Sequence, residues 1–430
     1  MQELDSLTVK DLEQRSLSRH EPRWLRLQRK NAWEQFQVTP PPDWKRKKLQ
    51  PISLSSSFTN FWNKQEKNIL KNENKQESKI SGKIVLVDGQ LSSLFLKPEL
   101  AYEGVVLCDM KTAVLERADL LEPYFTKKNS IPEDIFSFLQ DALWDNGYFL
   151  WIPKGLKVQE PFEIEIVQEN PAFSLTMRNL VVAEQVSSVK IQEQCSSQDQ
   201  RADVTLVLSK TQVCAEKSAR IQTLDIQRSG SHVMDFSTRI YEAKAESDIH
   251  ALHVGLGAGS GQDILSGTAR EEGATIRHEG ILVGSEHQQR KQVVSLHHEA
   301  PLTKGSMKYK GLLKDKAYAF LDGMIHVTDQ GKKTVSRLEE QVMLLSSKAR
   351  CDALPALDIH TSDVSIAHSA AVSHFDEEKL FYLMSRGLSE KDARALLVEG
   401  FFSDLLEPFK DSDSYCLLTS LIDHKLSLSP

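Results

Sequence analysis

The sequence predicts a mainly β protein whose many short strands stack between two helical regions. Three observations predict it. From Tyr148 to about Val372 apolar residues recur at every second position, as in Phe162-Glu163-Ile164-Glu165-Ile166 and Ile221-Gln222-Thr223-Leu224-Asp225-Ile226. Such alternation places one set of side chains on one face of an extended strand. Turn residues separate the runs and no long helical stretch interrupts them, which argues against a doubly wound α/β fold. On both sides of this region the apolar spacing becomes helical. A large sandwich or barrel and a β-helix solenoid both fit the strand pattern. The even spacing of so many short strands favours the solenoid, although no clean sequence repeat is visible.

The elements follow in order. Trp24, Leu25, Leu27, Trp33 and Phe36 mark an amphipathic helix that ends before Pro40-Pro41-Pro42. Residues Asn63 to Ser81 are rich in Lys, Asn, Glu and Gln. They cannot bury enough surface to offset ordering entropy and read as a linker. Short apolar runs begin at Ile84-Val85-Leu86-Val87 and continue at Val105-Val106-Leu107. Ser130, Pro132 and Glu133 signal a helix start, followed by Ile135, Phe138, Leu139, Ala142 and Leu143 at helical spacing. Asp145-Asn146-Gly147 stops that helix, and the long alternating region follows. Asp376 then caps a helix carrying Leu380, Phe381, Leu383 and Met384. Ser389 with Asp392 opens a second, with Ala393, Leu396, Leu397 and Phe401, which Pro408 ends. Leu417, Leu418, Leu421 and Ile422 mark a short final helix. The chain divides into an N-terminal helical region with linker (1–82), a β core with an inserted helical segment (83–373) and a C-terminal helical domain (374–430).

At 430 residues the chain is long enough to bury a large core. A formal charge of −7 gives no support for binding nucleic acid or an anionic membrane. The basic run Lys45-Arg46-Lys47-Lys48 reads as a solvated connector. The five cysteines are scattered and never form a CxxC pair. That argues against a disulfide framework and against a self-contained zinc or iron–sulfur site, and it fits a reducing compartment. The N-terminus has no apolar signal core, and no apolar run reaches membrane-spanning length. A cytoplasmic protein is the expectation.

Gly255-Leu256-Gly257-Ala258-Gly259-Ser260-Gly261 is rich in glycine. A phosphate cradle would need a helix straight after it, and Ile264 to Arg270 is not one, so a turn between strands is expected. No P-loop motif and no serine–histidine–aspartate arrangement stands out. In His297-His298-Glu299 an extended backbone sends the two imidazoles to opposite faces, so at most one serves a given site. His368 lies among small residues, with His360 and His374 near it in sequence. A core or interface histidine and a metal ligand both remain open for it. Phe381, Tyr382, Phe401, Phe402, Leu405, Leu406 and Phe409 are much apolar surface for a short tail. They either pack on the β core or dock a partner.

Several segments resemble the SufB/SufD family of iron–sulfur cluster assembly proteins. They are GYFLWIPKGLKVQEP (147–161), VVSLHHEAP (293–301), FLDG (320–323), Leu344-Leu345-Ser346, Leu357-Asp358-Ile359, Asp363-Val364, His368, FYLMSRG (381–387) and Gly400-Phe401. The likeness runs over roughly residues 130 to 405 and is closest to the SufD type. It implies a right-handed parallel β-helix between helical regions. It implies a scaffold subunit, not an enzyme, that pairs with a SufB-like subunit. The C-terminal helices would dock a SufC-like ATPase, with Phe381, Tyr382, Arg386, Gly387, Leu397, Phe401 and Phe402 as contacts. No firmly bound cofactor is implied, only iron or an iron–sulfur cluster shared at the partner interface. The resemblance leaves a homodimer in isolation open. SufB-type chains carry a cysteine two residues before the histidine that matches His368. Here that residue is Ile366, and Ser369 and Ser373 replace common glycines. His368 is then the one family-matched ligand. A metal-free interaction protein is the alternative. A polysaccharide-acting β-helix enzyme would need a cluster of charged residues on one solenoid face, which is not visible.

Overall fold

The computed structural model describes residues 8–40, 79–127, 134–170, 174–197, 204–410 and 413–427. The Lys45–Lys48 run, most of the polar stretch Asn63–Ser81 and the Ser130, Pro132 and Glu133 start signal lie outside the described residues.

Helices α1 (Val9–Ser18) and α2 (Arg23–Val38) precede strands β1 (Gly82–Val87) and β2 (Gln90–Leu96). Then come α3 (Pro98–Tyr102), β3 (Val106–Asp109), α4 (Met110–Glu116), α5 (Ala118–Phe125) and α6 (Ile135–Leu143). The long β region begins with β4 (Tyr148–Ile152), β5 (Phe162–Gln168), β6 (Leu175–Ala183), β7 (Ser188–Ser197) and β8 (Thr205–Ala215). It continues with β9 (Arg220–Arg228), β10 (Val233–Ala243), β11 (Asp248–Gly255), β12 (Ser260–Ala269) and β13 (Thr275–Gly284). It ends with β14 (Gln289–His298), β15 (Lys304–Leu313), β16 (Tyr318–Val327), β17 (Thr334–Leu344), β18 (Arg350–Ile359) and β19 (Val364–His374). Helices α7 (Glu377–Ser385), α8 (Glu390–Leu406) and α9 (Asp413–Ser427) close the chain.

From β4 onward each strand pairs in parallel with the strand two places along, so the chain coils with two strands per turn. The odd strands from β5 to β19 form one sheet, and the even strands from β4 to β18 form the other. The product is a β-solenoid of about seven turns with helices at both ends, and strand exceeds helix by 47% to 27%. The sandwich and barrel readings are thereby excluded. At the N-terminal end the turns are closed by antiparallel strands, β2 against β1 and β3 against β4.

The helix start signal needs one correction. Asp134 is the N-cap of α6, and its carboxylate accepts from the Phe136 and Ser137 amides at 3.0 and 2.9 Å. The last helix is longer than its apolar group indicated, because α9 continues to Ser427. Asp376 and Ser389 cap α7 and α8 as the sequence indicates. The glycine-rich segment after β11 is a connection into β12.

Helices α2 and α6 cover the outer face of the even sheet, where Trp33, Phe36 and Leu139 meet Leu206, Leu208 and Phe236. Buried Arg29 fixes this layer. It pairs with Glu21 at 2.9 Å and donates to the Ala142 and Trp144 carbonyls at the end of α6. Those carbonyls would otherwise lack partners.

The core fills the lumen between the sheets. Parallel in-register pairing sets each inward side chain on its counterpart one turn away. Along one such line stand Ile84, Ile164, Glu193, Asp225, His253, Gly280, Tyr309 and Glu340. This line is thus apolar in its first turns and mostly polar afterwards, while neighbouring lines keep apolar residues such as Leu296, Ile325 and Leu338 to the last turns. Three of the buried acids are paired with arginine: Arg239 binds Glu193 at 2.6 Å and Asp225 at 2.9 Å, and Arg290 binds Asp263 at 2.7 Å. Tyr148 also donates to Glu193 at 2.6 Å. Pairing offsets the desolvation cost of such groups. A Cβ at Gly280 would lie 2.3 Å from the Tyr309 ring, so that ring fits only because position 280 has no side chain.

His278 is fully buried between Tyr241 and Tyr309, with ring centroids 4.9 and 5.8 Å away. Neither ring nitrogen finds a hydrogen-bond partner among the described residues. Burial, with His253 and Arg239 nearby, pushes its imidazole down to about 3. The folded chain therefore keeps this group neutral at a pH where the unfolded chain protonates it. Its stabilising contribution is complete above about pH 6.5 and is lost as pH falls towards 3. His278→Phe should remove this loss. Between pH 7 and 4.5 the wild type should lose about 2–3 kcal/mol more unfolding free energy than the variant, measured in urea. Equal losses would contradict the assignment.

Candidate functional site

The C-terminal end of the solenoid is its least covered part. Strands β18 and β19 are the outermost strands of their sheets, so each keeps one edge of backbone donors and acceptors without a neighbouring strand among the described residues. Their side chains are mostly exposed as well, including the apolar Leu354, Leu357, Ile359 and Val372. Edge strands of this kind are templates for pairing.

His368 sits on β19, exposed, in register with the buried Leu338 of β17. Val364 and Ile366 alternate with it on the same strand face and pack against the lumen core. His368 therefore lies on the lumen side at the open mouth. Ile366 closes the neighbouring position with a side chain that cannot ligate a metal. Two residues along the next strand is Glu340, opposite Ala370. Its carboxylate is buried and neither oxygen has a hydrogen-bond partner among the described residues. Burial, with Asp322 adding to it, pushes Glu340 up to about 7. Gly323 makes the space, since a Cβ there would come 2.6 Å from a Glu340 oxygen. Sequence reading passed over Glu340. The signal was present, because Leu338, Glu340 and Val342 share the inward phase of the alternation.

The other histidines divide as an extended strand requires. His298 points inward, fully buried, with its nitrogens 2.9 Å from Thr303 Oγ1 and 3.1 Å from Ser336 Oγ. Both of its nitrogens are thus occupied by hydroxyls of the chain's own core. His297 points outward, towards His326. His360 groups with His326 and Asp358, not with His368. The sequence reading did not foresee that grouping, because its members come from two turns. All five cysteines are free. Burial pushes the thiols of Cys108, Cys195 and Cys351 up to about 12, so they stay protonated at neutral pH.

The C-terminal helices lie on the outer face of the odd sheet. Phe402, Leu405, Leu406 and Phe409 pack on Leu224, Leu252, Ile281 and Leu312. Lys310 ties α8 down by donating to the Phe401 carbonyl and to Asp404, each at 2.7 Å. This corrects part of the expected docking set. Phe402 is only 1% exposed, and Phe401 and Leu397 are half-buried against the chain's own core. These side chains satisfy the amphipathic pattern by holding the helix to the sheet. Phe381 and Tyr382 remain in solvent, at 73% and 55% exposure, beside exposed Met384, Leu388 and Leu396. Arg386 stacks 5.2 Å from the Tyr382 ring and donates to its hydroxyl at 3.1 Å. Gly387, at φ +98°, ends α7 in a conformation that favours glycine.

No helix among the described residues is long and apolar enough to cross a membrane. Residues 166–401 match the family model for the SUF system FeS cluster assembly SufBD core domain, and residues 8–164 match the SufBD protein N-terminal region. The chain is 28% identical over 425 residues to the iron–sulfur cluster assembly protein SufD of Bacillus subtilis, covering 94% of this chain and 95% of that protein. It is 23% identical over 417 residues to SufB of the same organism, covering 94% and 89%. An iron–sulfur cluster assembly SufBD family protein of Staphylococcus saprophyticus is also 23% identical over 417 residues, with the same coverage. A solenoid with this open end, matched along nearly its whole length, belongs to the SufBD family of iron–sulfur cluster assembly proteins.

Proposed function

We propose that this chain is a non-catalytic, SufD-type scaffold subunit of a cytoplasmic SUF-type assembly complex. It pairs with a SufB-like subunit through the last turn of its solenoid and docks a SufC-like ATPase through its C-terminal helices. The observation that supports this reading best is the uncovered last turn. Two edge strands with exposed apolar side chains offer backbone hydrogen bonds that another sheet can complete. Without its partner, the same edge would accept a second copy of this chain. Nucleotide turnover belongs to the ATPase, in keeping with the missing P-loop.

Iron or a nascent cluster is the cargo of such a complex. At the mouth this chain offers His368, with Glu340 diagonal to it on β17 and the inert Ile366 beside it. One imidazole cannot hold a cluster alone, so the thiolate ligands come from the partner. A neutral imidazole is a competent iron ligand. The helical tail supplies the mechanical link. Dimerisation of bound ATPase subunits would pull on α7 and α8. The contacts of Phe402 and Lys310 would pass that pull to the odd sheet, whose last strand carries His368.

Three experiments test the reading. Leu357→Lys together with Val372→Lys should abolish co-elution with the SufB-like subunit while the thermal melt stays near that of the wild type. Intact co-elution would remove the edge-pairing role. In anaerobic reconstitution with that subunit, His368→Ala should lower the iron affinity of the complex about tenfold or more. Equal iron uptake would favour the metal-free interaction protein. Phe381→Asp with Tyr382→Asp should weaken ATPase binding about thirtyfold at unchanged stability, whereas Phe402→Ala should cost about 3–5 kcal/mol of stability. Undiminished ATPase capture by the double variant would end the docking proposal.

A further inference from the structure

The outer face of the even sheet carries a second group of metal-ligating side chains, separate from the mouth. His297, His326 and Asp358 occupy matching positions on β14, β16 and β18 and so stack one above another. His360 follows directly after β18 and turns back onto the same group. The His326 ring centroid is 5.4 Å from that of His297 on one side and 5.4 Å from that of His360 on the other. Between the last two imidazoles lies the Asp358 carboxylate. One oxygen is 2.7 Å from His326 Nδ1, and the other is 3.0 Å from His360 Nε2. The donor atoms of His326, Asp358 and His360 all lie within 4.8 Å of one another.

We propose that His326, Asp358 and His360 form a binding site for a divalent first-row transition ion of the zinc or iron(II) class. Two nitrogens and one carboxylate oxygen suit these ions and are a poor set for calcium or magnesium, which take oxygen ligands. Bonds of roughly 2.0–2.1 Å place tetrahedral donors about 3.3 Å apart. Each nitrogen already lies that close to one of the two Asp358 oxygens, so the carboxylate has only to turn for a single oxygen to serve the ion. The two imidazole nitrogens need to close on each other, and His360 lies past the end of its strand, where a small rotation suffices. Two of the three donors stand on neighbouring strands, whose spacing is fixed at about 4.8 Å by backbone hydrogen bonds, so the site is largely built before the ion arrives.

Three protein ligands leave a coordination position open. This is the composition of sites that exchange ligands, not of closed structural ones. The group is also accessible: Asp358 and His360 are about half exposed at the side chain, at 50% and 52%, and His326 is at 28%. His297 backs the site. Its Nε2 is buried without a hydrogen-bond partner among the described residues, so it stands in reserve as a further nitrogen donor. Asp358 and His360 belong to the same uncovered turn as His368 but lie on the opposite sheet and the outer face. The site is thus separate from the mouth, although Asp358 stands on β18, one of the two edge strands proposed to pair with the partner.

The test is a titration of the metal-stripped, full-length chain with cobalt(II), read by its d–d absorption, followed by displacement with zinc. The wild type should bind one cobalt ion with the intensity of a four- or five-coordinate site. Asp358→Asn and His326→Ala should each weaken binding about tenfold or more, and His368→Ala should leave it unchanged. Wild-type affinity and spectrum in Asp358→Asn would overturn the proposal. So would loss of the signal in His368→Ala alone, which would place the ion at the mouth. Should His326→Ala lower the melting temperature of the chain, the near-isosteric Asp358→Asn decides the outcome by itself.

Discussion

Parallel, in-register strand pairing governs this molecule. In a two-strand turn each residue meets its equivalent in the preceding and following turns at the spacing of one strand. A side chain is therefore never placed alone; it is a rung in a line that runs along the solenoid. Where the rungs are Ile84 and Ile164, the line is an ordinary apolar core. Where they are Glu193, Asp225 and His253, neighbouring turns would set like groups against each other. The opposite sheet must then supply Arg239 as the counter-charge to Glu193 and Asp225. The outer histidine line obeys the same rule. His297 and His326 face each other because their strands pair in register, not because they are near in sequence.

This rule also explains what could be read from the sequence. Period-two alternation is local, so strands such as β5 and β9 were visible from their own residues. The helix caps at Asp376 and Ser389 are local for the same reason. The repeat itself was hidden because it is written in backbone conformation. Val186, Ser218, Glu246, Gly273, Leu302 and Lys333 all take positive φ at the same corner of successive turns. Each is followed by a small buried residue, namely Ser187, Ala219, Ser247, Ala274, Thr303 and Thr334. In three of these turns the hydroxyl bonds back to the carbonyl three residues earlier: Ser187 to Glu184, Ser247 to Lys244 and Thr303 to Ala300. The constraint is a small side chain after a left-handed residue. Valine, serine, glutamate, leucine and lysine all serve at the left-handed position, at a modest cost. No identity-based comparison of turns finds such a repeat.

The helical tail was legible in kind but not in allocation. Spacing identified apolar positions on α7 and α8 without saying which of them the β core would absorb. The core took Phe402, Leu405 and Leu406, whose partners Leu224, Leu252 and Leu312 come from three different turns. Phe381 and Tyr382 follow directly after the buried Leu380, on other faces of the helix, and remain in water. The same limit applied to the placement of Glu340 diagonal to His368 and to the His326, Asp358 and His360 group. Each depends on the register between turns, which a single strand does not record.

The two ends of the solenoid are unequal, and the inequality bears on function. A stack of strands must end its hydrogen bonding somewhere, and repeat proteins protect their ends with capping elements. At the N-terminal end β2 and β3 reverse direction and close the sheets, with α4 and α5 packed nearby. At the C-terminal end the chain had three helices with which to do the same. It laid α8 and α9 on the side of the odd sheet instead, leaving β18 and β19 bare. Covering a side while exposing an end makes sense if the end is completed by another molecule. Leucines and valines on an open edge would otherwise be an aggregation hazard. On the proposed pairing, the family-matched histidine at that end stands where ligands from a second sheet would reach it.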